Sequence, residues 1–166
     1  MGKTDYTFEQ MTENHRHALI DIFNHYIRQS HAAYLEEAMD YPFFDRFLKM
    51  SRGYPALVVK NRARQVMGFG FMRPHHLADS MKRAAELTYF ILPEDTGKGL
   101  GSAMLDLFVR EAGKMGIDTL LANISSRNRA SIEFHLQKGF RECGRFHKAG
   151  RKFGEDFDVV WMQKLL

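Results

Sequence analysis

Gly97, Gly99 and Gly101, three glycines at alternate positions, lie between a β-prone run and a helical one and constrain this chain more than any other feature. Tyr89, Phe90, Ile91 and Leu92 favour an extended strand, and Pro93 ends it. Beyond the turn, Met104, Leu105, Phe108, Val109 and Ala112 recur at helical spacing on one face. The stretch from Glu86 to Ala112 therefore reads as strand, short turn, helix. A turn stripped of three Cβ atoms lets a ligand approach the backbone closely. The helix that opens on it presents unpaired N–H groups and the positive end of its dipole, which together make an anion site. The dinucleotide-binding fingerprint needs a further glycine and a later acidic residue that are not at the required spacing. A phosphate loop needs a lysine before its Ser or Thr, and Gly101-Ser102 lacks it.

The rest of the chain supplies the sheet and helices around that unit. Tyr6–Met11 reads as a strand with Thr12 as a helix cap, and Ala18, Leu19, Ile22, Phe23, Tyr26 and Ile27 mark an amphipathic helix. Residues 31–35 form a connector. Pro42 opens a second helix, with Phe43, Phe44, Phe47 and Leu48 inward and Gly53 as its stop. These phenylalanines are read as core, and the helix that carries them can also line an acceptor cleft. Residues 56–59 and 65–72 flank the polar turn Asn61–Arg64 as a hairpin. Arg73-Pro74 begins a polar loop that runs to about Lys82. Residues 119–124 form the next strand, Asn128 caps a helix that Gly139 stops, and residues 140–146 and 157–164 close the sheet. The order β-α-α-β-β-β-α-β-α-β-β predicts an α/β fold, a mixed central sheet with helices on both faces.

With 166 residues, 45% hydrophobic and 27% charged, the chain reads as a single globular domain spanning 1–166. No apolar run approaches the ~20 residues of a membrane span, and the N-terminal Met-Gly-Lys-Thr-Asp has no signal-like apolar region, so a cytoplasmic location is expected. The single cysteine, Cys143, excludes an internal disulfide and is read as a small core residue. The net charge of +4 comes from scattered basic residues, so neither nucleic acid nor membrane is expected as a partner. The eight histidines show no metal-ligand spacing, and His15, His17, His75 and His76 are read as solvated.

Four segments in order then carry a resemblance. Thr96-Gly97-Lys98-Gly99-Leu100-Gly101 resembles the Gln/Arg-x-x-Gly-x-Gly/Ala pyrophosphate loop of the GNAT acetyltransferase superfamily, with Thr96 at the place of the usual long polar residue. Asn128 through His135 to Gly139-Phe140 resembles the Asn…Tyr/His…Gly-Phe helix of those enzymes. Residues 22–26, and Gly150–Gly154 followed by Asp158–Gln163, extend the likeness to nearly the whole chain. The branch it resembles is that of phosphinothricin (methionine sulfoximine) acetyltransferases, in which a glutamate precedes the glycine loop as Glu86 precedes Gly99. Against that branch the loop from Arg73 to Glu86 looks longer, and Asp156-Phe157 replaces a Trp-containing pair, both where an acceptor binds.

The resemblance implies the GNAT acyl-CoA N-acyltransferase fold. It also implies an N-acetyltransferase that moves an acetyl group from acetyl-CoA to a primary amine, the α-amine of a small amino acid or analogue. No metal is implied, and a homodimer is allowed. Gly97, Lys98, Gly99, Leu100, Gly101 and Ser102 would hold the diphosphate, and Asn128 the cofactor arm. The backbone N–H groups of Tyr89, Phe90 and Ile91 would pair with pantetheine, that of Phe90 polarising the thioester. Amines of pKa near ~10 are mostly protonated at neutral pH, which gives Glu86 its role as general base. His135, as imidazolium of pKa ~6.5, would protonate a thiolate whose conjugate acid has pKa ~8.5. Arg73 would bind the acceptor carboxylate through two parallel hydrogen bonds. Protein or peptide N-acetyltransfer, with an open cleft instead of one closed by the 73–82 loop, is the alternative activity. A non-catalytic CoA-binding regulatory module is the alternative from another class.

Overall fold

The computed structural model describes residues 5–166 and builds them around one seven-stranded sheet of order β1-β2-β3-β4-β5-β7-β6. The strands are β1 (Tyr6–Gln10), β2 (Ala56–Asn61), β3 (Val66–Pro74), β4 (Ala84–Ile91), β5 (Thr119–Ser125), β6 (Arg141–Lys152) and β7 (Glu155–Leu165). The helices are α1 (Arg16–Gln29), α2 (Phe44–Met50), α3 (Leu100–Lys114) and α4 (Arg129–Gln137). The order of elements is the one expected from the sequence, and the sheet is mixed: β4 and β5 run parallel and every other neighbouring pair is antiparallel.

Strand alternation sends side chains to two separate cores. Phe69 and Phe71 of β3 meet Leu19, Ile20, Phe44 and Phe47 of α1 and α2 on one face. Leu87 and Ile91 of β4 meet Leu100, Met104 and Phe108 of α3 on the other. Helices thus cover both faces.

One pairing defect decides where a ligand can go. β4 and β5 pair only over Ala84↔Thr119, Ala85↔Leu120 and Glu86↔Leu121. Past Glu86, β4 stays with β3 as far as Ile91↔Gly68, while β5 stays with β7 as far as Ser125↔Val159. The two strands part, and a cleft opens through the middle of the sheet.

Several expectations need correction. Arg73-Pro74 does not begin a loop: β3 runs through both, pairing Arg73 with Glu86 and Pro74 with Ala85, and only residues 75–83 leave the sheet. The closing strands are longer than expected, because Phe153 and Gly154 both adopt left-handed φ (52° and 75°) and make a two-residue hairpin turn that lets β6 and β7 pair to its edge. Cys143 is exposed, since β6 is an edge strand whose faces are largely bare. His15 is buried, with Nε2 at 2.8 Å from Glu9 Oε1 and Nδ1 accepting from Thr12 N–H at 3.0 Å.

Candidate active site

A cavity of about 1070 Å³ occupies the split between β4 and β5 and extends over the α1/α2 face of β4. Its floor at one end is the glycine turn. Gly97 and Gly99 take left-handed φ of 73° and 83°, and nothing lies within 4 Å of where a Cβ would stand at either. Gly99 is the N-cap, so α3 begins inside the motif, at Leu100. The first backbone bond of this helix runs from Ala103 N–H to Gly99 O at 3.0 Å, which leaves the N–H groups of Leu100, Gly101 and Ser102 at the cavity floor to receive an anion. The turn has the empty space, the free donors and the dipole that a diphosphate requires. Lys98 is not on this wall; its ammonium pairs with Asp95 at 2.7 Å. Thr96 lines the cavity but spends its hydroxyl on Pro93 O at 2.8 Å.

The backbone of β4 forms the next part of the wall. Leu92 N–H donates to Met67 O at 2.8 Å, and the antiparallel register falls back in twos from there, so Phe90 and Thr88 direct their backbone groups towards β3. Phe90 O and Thr88 O lie close against Gly68 and Gly70 of that strand. Tyr89 and Ile91 therefore turn their N–H groups to the cleft, and Phe90 does not. The expectation that Phe90 N–H polarises a thioester is corrected: that donor is committed to the sheet. Ile91 O, on the cleft side, accepts from the Tyr26 hydroxyl.

On the opposite wall, Asn128 caps α4, with Oδ1 accepting from Ser131 N–H at 3.3 Å, and its amide nitrogen remains available to the cavity. Two turns on, His135 is 2% exposed and packs edge-on to Phe140, with ring centroids 4.9 Å apart. Its Nδ1 lies 2.7 Å from Ser131 O, an acceptor, so Nδ1 carries the proton. Nε2 is then the acceptor for the Tyr89 hydroxyl. Burial pushes the imidazole below its ordinary value, against a smaller opposing effect of the Ser131 carbonyl, and burial pushes the Tyr89 phenol up. Both groups are neutral at neutral pH. The imidazolium expected from the sequence is replaced by a neutral imidazole whose cavity-side nitrogen has no proton to give.

Glu86 lies on the α1/α2 face of β4, behind the cavity rather than on its wall, and is 7% exposed. Both of its oxygens are held: Oε2 by Arg73 Nε at 3.1 Å and Nη2 at 2.5 Å, Oε1 by His75 Nδ1 at 2.8 Å. A second, smaller cavity of about 410 Å³ contains Glu86, His75, Pro74 and Leu77. Arg73 and Met50, in contact through Nη1 and Sδ at 3.5 Å, border both spaces and divide them. His75, read from the sequence as solvated, is thus part of the carboxylate's setting. The signal available was its place two residues after Arg73, on the same strand face if β3 continued through Pro74. The 75–83 loop lines the smaller space and does not roof the main one, against the expectation that it closes the cleft.

Rings cover the α1/α2 side of the main cavity. Phe23 meets Phe47 at 5.3 Å and Phe90 at 5.4 Å edge-on, and Phe43 at 5.9 Å face to face. Among the described residues, no three His, Cys, Asp or Glu side chains group to hold a metal ion, and no helix is long and apolar enough to cross a membrane.

A mixed sheet split between parallel strands, with a glycine-led helix at the mouth of the split, defines an acyl-group transferase fold. The chain belongs to the acetyltransferase (GNAT) domain family, whose model matches residues 9–161. It is 28% identical over 149 residues, 87% of this chain and 86% of the relative, to the L-methionine sulfoximine/L-methionine sulfone acetyltransferase of Pseudomonas aeruginosa. Among solved structures, it superimposes with TM-score 0.88 and 30% identity on a ribosomal-protein-alanine N-acetyltransferase from Brucella melitensis, covering 96% of this chain and 99% of that one. A structure of yncA from Salmonella typhimurium with its cofactor acetyl-CoA gives TM-score 0.88 and 27% identity over 98% and 95% of the two chains.

Proposed function

We propose that this protein transfers an acetyl group from acetyl-CoA to the α-amine of a small amino acid or analogue. The observation that carries the reading is the single cavity joining the glycine turn at the start of α3 to an aromatic chamber bordered by Arg73, with Glu86 directly behind it. The acetyl-CoA bound in yncA and the acceptor named for the Pseudomonas relative support the two ends of that cavity.

In this reading the N–H groups of Leu100, Gly101 and Ser102, with the backbone of Gly97–Gly99, hold the diphosphate. The Tyr89 and Ile91 N–H groups and the Asn128 amide hold the pantetheine arm. The acceptor carboxylate competes with Glu86 for the Arg73 guanidinium. Once Arg73 has turned to the acceptor, Glu86 Oε2 is freed, and the carboxylate takes the ammonium proton directly or through a water. His75 keeps Oε1 throughout. The free amine then attacks the acetyl carbonyl as the C–S bond breaks. The Tyr89 hydroxyl, turning from His135 Nε2 to the departing sulfur, donates its hydrogen bond to the thiolate, and the proton that completes the thiol comes from the acylated nitrogen.

The test is release of free thiol from acetyl-CoA with a panel of amines. Turnover with free amino acids and none without acceptor supports the reading. Retention of acetyl-CoA with no turnover on any amine would leave a non-catalytic binding module.

Two observations favour a second reading, protein or peptide N-acetylation: the 75–83 loop does not roof the main cavity, and the Brucella relative carries a protein acceptor in its name. Peptides with a free N-terminal alanine outrunning free amino acids would select it.

A further inference from the structure

The cavity's aromatic end carries information about the acceptor beyond its amine. We infer that the acceptor is an α-amino acid with an aromatic or branched apolar side chain, a specificity that rests on the acetyltransferase reading above. Phe23, Phe43 and Phe90 are each half-buried, and all three face the cavity. A second tier backs them: Phe47 lies 5.5 Å from Phe69 and 5.4 Å from Phe71, both buried on β3. A ring held from behind by other rings has little freedom to move aside, so the chamber offers preformed apolar surface, and an aromatic guest adds edge-to-face contacts to the area it buries.

The charges point the same way. Among the described residues lining the cavity, Arg73 is the only lysine or arginine, and two of its nitrogens already lie on Glu86. Asp95 is the only acid on the wall, and it sits at the glycine-turn end, paired with Lys98. One guanidinium can answer one α-carboxylate. A second anionic group, such as the phosphinate of phosphinothricin or the side chain of glutamate, would be desolvated against phenylalanine rings with no further lysine or arginine to pair it, and a lysine ammonium would find no acid among them. The chamber rejects charged side chains by leaving them unpaired and accepts rings and branched chains by burying them.

The experiment compares kcat/KM by thiol release, with acetyl-CoA fixed, for L-phenylalanine, L-leucine, L-alanine, L-glutamate and phosphinothricin. Phenylalanine and leucine should exceed alanine by roughly 10-fold or more, the usual yield of filling an apolar pocket, and glutamate and phosphinothricin should fall below alanine. Phe23→Ala should narrow the phenylalanine-to-alanine ratio, and Phe23→Arg should raise the rate on phosphinothricin relative to phenylalanine. If either variant fails to fold, Phe43→Leu, which keeps the apolar character, should lower the preference for phenylalanine over leucine. Glutamate or phosphinothricin matching phenylalanine in the wild type would overturn this inference and leave acetyl transfer standing. Absence of thiol release with every amine would remove the acetyltransferase reading and this inference with it.

Discussion

Arg73 grips Glu86 through one carboxylate oxygen, Nε at 3.1 Å and Nη2 at 2.5 Å both reaching Oε2, while His75 takes the other at 2.8 Å. Arg73 and Glu86 sit on neighbouring strands, with His75 just past the end of β3, because β3 continues through Pro74 and sets Arg73 opposite Glu86 in register. If Glu86 is the base, as proposed, this grip holds it inactive until Arg73 is drawn off, and the acceptor's own carboxylate would be the trigger that couples recognition to base activation.

Glu86→Gln should therefore lower turnover at neutral pH by about 10²-fold, the scale of a general base. The loss should shrink as pH rises towards the amine's own pKa of ~10, because free amine then needs no base. Steady-state thiol release from pH 7 to 9.5 measures it. Wild-type turnover at pH 7 would reduce Glu86 to a structural ion-pair member.

Arg73→Ala tests the trigger. The wild type should prefer amino acids to their amides, and the variant should lose that preference chiefly through KM. The variant should also melt lower, because Glu86 is left with one partner in a buried site. The loss should stay below the roughly 3–5 kcal/mol of an orphaned buried charge, since His75 still donates. Equal rates on acids and amides in the wild type would remove carboxylate recognition.

The fold was legible because it rests on local signals. Glycine spacing, the Met104–Leu105–Phe108 stripe and the Asn128 cap each report on their own neighbourhood. The glycine turn and the Asn128 wall follow the same logic. What sequence could not supply was pairing across strands. That Phe90 N–H faces β3 depends on the phase of the β3/β4 register, and the neutral state of His135 depends on burial and on Ser131 O one turn back. His75 and Lys152 acquire roles only through partners 11 and about 120 positions away.

Gly99→Glu tests the turn. Its φ of 83° penalises any Cβ by roughly 1–2 kcal/mol, and the carboxylate would stand in the open space left for the diphosphate. Acetyl-CoA affinity measured by calorimetry should fall strongly for Gly99→Glu and far less for Gly99→Ala, which carries the backbone strain without the charge. Equal losses would mean that conformation alone matters there.

His135 gives a pH prediction. Burial lowers its folded pKa below the ordinary 6.5, so the unfolded chain takes up the proton first as pH falls. The stability tied to neutral His135 is present above about pH 6.5 and is lost as pH falls from there towards the depressed folded value. His135→Gln cannot titrate and keeps an acceptor for Tyr89. Between pH 7.5 and 5, the melting temperature of the wild type should fall by more than that of the variant. Parallel curves would mean that the imidazole titrates at its ordinary value when folded.

Lys152 offers the last test, and it separates acceptor from cofactor. This side chain is fully buried at the end of β6, and its ammonium donates to Ser30 O at 2.7 Å and Ala33 O at 2.6 Å. Burial pushes its pKa down, against a smaller opposing pull from the Glu36 carboxylate. The Ser30 and Ala33 carbonyls belong to the connector after α1, which forms part of the cavity wall through Ser30, Ala33 and Tyr34. Tyr34 in turn stacks on Phe157 of β7 at 5.5 Å. The β6–β7 hairpin thus braces this connector from behind. Lys152→Met keeps the length of the side chain, removes the donors and leaves two carbonyls unsatisfied, each at a cost of roughly 1–3 kcal/mol. The variant should melt lower and show a raised KM for the amine, with acetyl-CoA affinity close to that of the wild type. If acetyl-CoA affinity falls in step with the amine's, the brace supports the whole cavity and not the acceptor wall alone.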